Sequence, residues 1–228
     1  MKAMILAAGR GERMRPLTDS CPKPLLQVGG KALIEHHIDS LKKANITSLV
    51  INHAHLGEQI EDYLGNGEKY GVEIQYSAEH DALETGGGIY KALPLLGNAP
   101  FIVVNGDVWC DLDFSLLPKK ITGLAHLVMI ANPAHNPTGD FYFNEGRLHS
   151  DKGSKLTYSG IGVFSPALFA HCTAGRFPLA PLLRNAIAEN KVTASYYQGE
   201  WVDVGTPERL SDLNDYVNKI NTSAVREK

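Results

Sequence analysis

Cysteine is scarce in this chain: Cys21, Cys110 and Cys172 are the only three among 228 residues, widely spaced and without a paired Cys/His pattern. That scarcity excludes a disulfide framework and a structural zinc, and it points to a reducing, cytoplasmic setting. Long apolar runs are missing too. The run over 3–8 is too short for a signal-peptide core and leads into Arg10, Arg13 and Arg15 rather than a cleavage site. No later stretch reaches the length of a membrane span, so no membrane partner is expected. Neither sign of charge dominates: a formal net charge of −3 argues against a nucleic-acid partner while leaving room for a local basic pocket. Nothing implies an obligate protein partner. Repeats and low-complexity tracts are absent and the composition is even, so a single domain over 1–228 is expected.

Several catalytic signatures are lacking as well. A Walker-type loop ends in Gly-Lys-Ser/Thr, which does not occur, and the dinucleotide fingerprint needs glycine where Met14 stands. Ser159-Gly160-Ile161-Gly162 lacks the Gly-x-Ser-x-Gly pattern of an activated serine. The nine histidines, among them His36, His37, His53, His55 and His80, fall at no spacing that assembles a metal-ligand set.

What is present is a glycine turn after the opening strand, Ala8-Gly9-Arg10-Gly11-Glu12-Arg13, followed by Pro22-Lys23-Pro24. Gly9 and Gly11 let the backbone bend tightly and turn its N–H groups toward an anion, while Arg13 and Lys23 bring positive charge to the same rim. The prolines stiffen the chain around Lys23. Together these residues suit a triphosphate.

Apolar strands at 2–8, 48–52, 72–76 and 101–104 alternate with helical periodicity at 33–44, 57–64 and 88–96, which indicates βαβ units and a parallel sheet. Ligands of such sheets bind beyond the carboxyl ends of the strands, where Gly9, Asn52 and Asn105-Gly106-Asp107 fall. After Asp107 the rhythm changes: strands at 124–131, 141–143 and 158–164 suggest a mixed or antiparallel extension that holds a second substrate. Thr206-Pro207-Glu208 is a strong helix start, and a closing helix is expected over about 206–220 with frayed residues beyond 221. The nucleotide-binding part thus covers about 1–110 and the extension about 111–200.

Asp107 leaves the apolar strand through Asn105-Gly106, and alternation points Asp203 away from Val202 and Val204. Mg²⁺ takes one or two carboxylates together with phosphate oxygens and water, so two aspartates facing a triphosphate suffice. The alternative makes Asp107 a turn former and Asp203 the lead-in to a helix cap. Leu83-Glu84-Thr85-Gly86-Gly87-Gly88 reads either as a set of backbone donors to a phosphate or as a plain loop before a helix.

At 4–25, at Asn105-Gly106-Asp107 and at 201–206 the chain resembles the sugar-1-phosphate nucleotidyltransferases, also called nucleotide-sugar pyrophosphorylases. The resemblance spans nearly the whole chain. It implies a Rossmann-like α/β nucleotidyltransferase fold in which the loop holding Ala8, Gly9, Gly11 and Glu12 wraps the triphosphate. Arg13 and Lys23 would offset charge during transfer, Asp107 and Asp203 would hold Mg²⁺, and Gly86 would join the nucleotide-binding set. Glu79 stands where the family reads the base and is expected to accept N3–H of uracil. Asn105, Asp140, Ser159 and Gly160 are expected to bind the sugar.

A narrower likeness to the uridylyltransferase branch, carried by 11–18, 83–88 and 104–109, implies UTP as donor. It also implies a sugar 1-phosphate bearing a lactyl ether as acceptor, and a place in cell-wall recycling. Guanylyl or thymidylyl transfer to another hexose 1-phosphate, or a non-catalytic nucleotide-sugar sensor, are the alternatives. One departure stands out: the Glu-Lys-Pro segment that many members place near the sugar phosphate is missing, and neither Lys152 nor Lys155 replaces it by spacing.

Overall fold

The computed structural model describes residues 1–226. Strand β1 (Ala3–Leu6) lies inside a nine-stranded sheet and is buried on both faces because every one of its side chains is apolar. Period-two alternation sends Ala3 and Ile5 into one core cluster and Met4 into the opposite one. A short hairpin, β2 (Gln27–Val28) and β3 (Lys31–Ala32), leads into α1 (Leu33–Lys43). That helix covers the Ile5 face with Ile34, Ile38 and Leu41, all on one stripe.

The chain continues through β4 (Ser48–His53), α2 (Gly57–Leu64), β5 (Glu73–Ala78), α3 (Glu84–Leu96) and β6 (Phe101–Asn105). Strand β1 is parallel to both β4 and β6, and β4 is parallel to β5. The chain therefore builds outward from β1 on one side and then returns to its other side. This reversal opens a crevice at the carboxyl ends of β1, β4 and β6.

The extension expected over about 111–200 has no sheet to itself. Its elements are β8 (Ala125–Ile130), β9 (Phe141–Asn144), β10 (Arg147–His149), β11 (Ser154–Phe164), α4 (Ala180–Ala188) and β12 (Val192–Tyr196); just before and after it, β7 (Val108–Cys110) and β13 (Trp201–Asp203) pair as a separate two-stranded sheet. β11 pairs antiparallel with β6 and β8, and β12 runs parallel to β8, so the main sheet simply continues as a mixed sheet. β11 starts at Ser154, earlier than its apolar stretch suggests, because its polar first residues pair with β9 at the sheet margin.

The last helix, α5 (Pro207–Arg226), begins as the sequence indicates and runs past the expected end near 220 and the expected fraying beyond 221. Leu213 and Val217 anchor it against Met14, Leu33, Trp109 and Val204, behind the glycine turn. Among the described residues no helix is long and apolar enough to cross a membrane.

Candidate active site

The crevice at the strand ends is a cleft of about 340 Å³. The turn after β1 supplies Ala8, Gly9, Gly11, Glu12 and Arg13 to it, the tip of β6 supplies Asn105 and Asp107, and Lys23 and Glu79 complete its walls. Most of the expected nucleotide residues, far apart in sequence, thus meet in one place. Gly11 adopts φ 70°, a left-handed conformation that favours glycine, and its carbonyl accepts a hydrogen bond from Thr18 Oγ1 at 2.9 Å. The Glu12 carboxylate pairs with Arg10 at 2.5 Å and Arg15 at 3.2 Å, so this residue has its main chain, not its anionic side chain, to offer a phosphate.

Lys23 is buried, and its Nζ lies 2.9 Å from Asp107 Oδ2. Asp203 stands beside Asp107 because β13 pairs with β7: Asp203 is opposite Val108, and Val204 N donates to Asp107 O at 2.9 Å. Asp203 Oδ2 accepts from Arg209 on α5 at 2.7 Å. Each aspartate therefore has one oxygen held by a cation, and among the described residues no hydrogen bond engages the other oxygen. Two neighbouring hard-oxygen donors, with no group of three or more His, Cys, Asp or Glu among the described residues to make a closed cage, suit a divalent ion that keeps water and phosphate oxygens in its shell. His37 lies beneath this strand pair. Burial lowers its pKa to about 4, so it adds no charge near neutrality.

Glu79 lines the cleft but is almost wholly buried. Its Oε1 accepts from Asn52 Nδ2 at 2.6 Å and its Oε2 from Leu83 N at 2.8 Å, while Asn52 Oδ1 accepts from Ala7 N at 3.0 Å. A relay of hydrogen bonds thus fixes this wall of the cleft to the end of β1.

Five expected site residues are not among those lining the cleft: Asp203, which stands beside Asp107, and Gly86, Ser159, Asp140 and Gly160. Gly86 sits within α3, which starts at Glu84 and not at 88; a Cβ there would lie 2.5 Å from the Phe177 ring, so glycine is required by packing and the side facing the cleft belongs to Glu84 and Thr85. Ser159 is buried, and its Oγ accepts from Ile161 N at 3.2 Å, turned inward by the bulge that shifts β11 against β8 between Tyr158 and Gly162. Asp140 uses both oxygens, Oδ1 accepting from Asn136 Nδ2 at 3.0 Å and Oδ2 from Tyr158 N at 2.8 Å. Gly160 falls in the same bulge with φ 81°, where a Cβ would lie 2.6 Å from Asn105 Nδ2, so it backs Asn105 at the cleft.

Sequence reasoning missed Arg209, His135 and Trp201. Arg209 reads as an ordinary residue in the first turn of a helix. His135 and Trp201 meet only in the fold, their rings stacked at 6.4 Å with planes 20° apart.

A family model described as nucleotidyl transferase matches residues 2–146. The chain is 53% identical over 224 residues to an N-acetylmuramate alpha-1-phosphate uridylyltransferase of Neisseria meningitidis serogroup B, covering 93% of this chain and 96% of that protein. A protein of the same description from Caulobacter vibrioides is 35% identical over 90% of this chain and 92% of its own. A solved UDP-glucose pyrophosphorylase bound to UDP-glucose superposes with a TM-score of 0.78 at 19% identity, covering 96% of this chain and 98% of that one, which shows the shared fold.

Proposed function

We infer that this chain, which belongs to the nucleotidyl transferase family and is a sugar-1-phosphate nucleotidyltransferase, transfers UMP from UTP to N-acetylmuramate α-1-phosphate, giving UDP-N-acetylmuramate and pyrophosphate. The observation that carries the reading is the juxtaposition of the Gly9–Gly11 turn, Arg13 and the Lys23–Asp107 ion pair in one cleft at the sheet's switch point. Uridylyl transfer is favoured over guanylyl or thymidylyl transfer because the two relatives from Neisseria meningitidis and Caulobacter vibrioides are both uridylyltransferases.

The anomeric phosphate is the nucleophile. One of its oxygens forms a bond to the α-phosphorus as the bond to the bridging α–β oxygen breaks, and the electron pair leaves with pyrophosphate. No protein base is needed, since the attacking phosphate is already ionised. The barrier is the approach of two anions, so the chain's task is to neutralise charge and hold the reactants in line. Backbone N–H groups of the glycine turn receive the triphosphate, with Arg13 and Lys23 holding charge that builds on the leaving group. Asp107 and Asp203 would hold Mg²⁺, which when bound offsets phosphate charge and orients the α-phosphate. Arg209 acts as a positioning residue for Asp203. Glu79 fixes the base-side wall and keeps lone pairs on both oxygens for the N3–H of uracil.

The setting proposed is the cytoplasm, in the reuse of cell-wall amino sugar. The test is pyrophosphate release from UTP, GTP, TTP and CTP against a panel of sugar 1-phosphates, with and without Mg²⁺. Highest kcat/KM with UTP and N-acetylmuramate α-1-phosphate is expected. A clear preference for glucose or mannose 1-phosphate overturns the acceptor, and absence of pyrophosphate release overturns the transfer reaction.

A further inference from the structure

The nucleotide end of the cleft has Arg13 and Lys23, but an acceptor phosphate approaching from the far side of Asp107 and Asp203 needs donors of its own. Lys152 and Lys155, to which sequence spacing gives no such role, do not supply them. Both are exposed, and Lys155 Nζ lies 5.8 Å from the centre of the Tyr142 ring. Arg209 is committed to Asp203.

Beside Asp203, outside the residues that line the cleft itself, stands a further donor. His135 places Nε2 3.5 Å from Asp203 Oδ2, with no hydrogen bond formed between them, and its side chain is 34% exposed. An imidazole has an N–H to donate in either protonation state.

The chain spends many interactions on holding this ring. The loop 131–140 is laced to β11: Asn132 Nδ2 donates to Lys155 O at 3.0 Å, Thr157 Oγ1 to Asn132 Oδ1 at 2.9 Å, and Asn136 Nδ2 to Thr157 Oγ1 at 3.2 Å. Asp140 closes the network on Tyr158 N. Beneath the ring, Trp201 is itself pinned by its indole N–H, which donates to Ser159 O at 2.9 Å. A loop braced at both ends and stacked on an immobilised indole presents a side chain from a fixed place, which is what binding a phosphate in line for displacement requires.

We propose that His135 is the acceptor-phosphate contact, donating a hydrogen bond to the phosphate of the sugar 1-phosphate beside Asp203. The proposal rests on the transfer reaction described above and adds to it the residue that receives the nucleophile. It also gives Asp140, Ser159 and Trp201 a shared task, holding the His135 ring rather than touching sugar.

The test is steady-state kinetics of His135→Ala and His135→Gln in both reaction directions, with thermal melting as a check on folding. In His135→Ala the KM for N-acetylmuramate α-1-phosphate should rise about tenfold, while the KM values for UTP and, in reverse, for pyrophosphate stay at wild-type values. His135→Gln, whose amide can still donate, should recover part of the loss. The proposal is overturned if the sugar-phosphate KM does not move, if the UTP and pyrophosphate KM values rise equally with it, or if the metal concentration giving half-maximal rate shifts instead. Should His135→Ala melt well below wild type, His135→Phe, which keeps a ring against Trp201 but has no N–H to donate, carries the same comparison. A wild-type protein inert toward UTP and every sugar 1-phosphate fails earlier, at the transfer reaction, and is told apart from a failure at His135 by the wild-type assay alone.

Discussion

The two ends of the cleft are built in different ways. At the nucleotide end, Gly9, Gly11, Arg13 and Lys23 come from one short stretch of chain that leaves β1 and folds back on itself, so local backbone geometry alone brings them together. At the proposed acceptor end, beyond the residues that line the cleft itself, Asp203, Arg209, His135 and Trp201 come from a strand, a helix and a distant loop, and they meet only because β13 pairs with β7 and the 131–140 loop is tied to β11. The first end depends on special residues in sequence, the second on tertiary register. Mutations should therefore act directly on chemistry at the first end and through neighbours at the second.

The hinge between the two ends is the aspartate pair, and it should show the largest effect. Asp107→Ala or Asp203→Ala should lower turnover by orders of magnitude, since each removes an anionic oxygen donor from a charge-crowded centre. Metal titrations of the pyrophosphate-release rate check this. Full Mg²⁺-dependent activity in either variant would discard the metal assignment.

Next comes Lys23→Ala. Loss of one preorganised charge contact costs ~3 kcal/mol of barrier, roughly a hundredfold in rate. Because Asp107 is substantially exposed, the broken ion pair should leave the fold intact in melting experiments. An unfolded variant, or one of normal rate, contradicts the role given to Lys23.

Gly86 separates packing from chemistry. Gly86→Ala forces a Cβ to within 2.5 Å of the Phe177 ring and 2.8 Å of the Phe177 carbonyl, an overpacking that should cost about 1–3 kcal/mol of stability. A lowered Tm with an unchanged KM for UTP is the expected result. The reverse pattern would return Gly86 to the nucleotide site.

Much of this molecule can be read from its residues before any coordinates. The strands β1, β4 and β6 announce themselves as short apolar runs, and the turn at Gly9 to Arg13, which lines the cleft, is marked by its glycines and arginines. Less visible is where α3 starts, since three consecutive glycines suppress helix propensity and only the close approach of Phe177 to Gly86, of Gly175 to Gly87 and of Glu79 and Asn52 to Gly88 explains them. The bulge in β11 was hidden for a related reason: Ser159 looks like a cleft-facing strand residue until the register shift turns its hydroxyl inward. Arg209 and His135 carry no local signal, because what makes them notable is a carboxylate supplied from elsewhere in the chain.

Glu79 tests the base-side wall. A carboxylate accepts the N3–H of uracil, whereas the unprotonated N3 of cytosine would meet it lone pair to lone pair, so UTP should be used and CTP rejected. Glu79→Gln should weaken that discrimination. It should also raise the KM for UTP, because the amide NH₂ must face either the Asn52 donor or the Leu83 N–H in the relay. Equal use of CTP and UTP by the wild-type protein would end this account of base choice.

The smallest expected effect is the one that best divides direct contact from action through a neighbour. Asp140→Ala removes the acceptor for Tyr158 N and for the Asn136 amide, loosening the loop that presents His135 without removing any donor to the substrate. The KM for the sugar 1-phosphate should rise a few-fold and that for UTP should not. The decisive measurement is the double variant. If Asp140 acts only by bracing His135, then Asp140→Ala adds nothing once His135 is already alanine, and the two effects are strongly non-additive. If Asp140 touches the sugar itself, the losses add as they do for independent contacts. Additivity in kcat/KM for the sugar 1-phosphate would place Asp140 at the sugar and reduce the 131–140 loop to scaffolding, while its absence would show that the acceptor end works as one connected unit centred on the His135 ring.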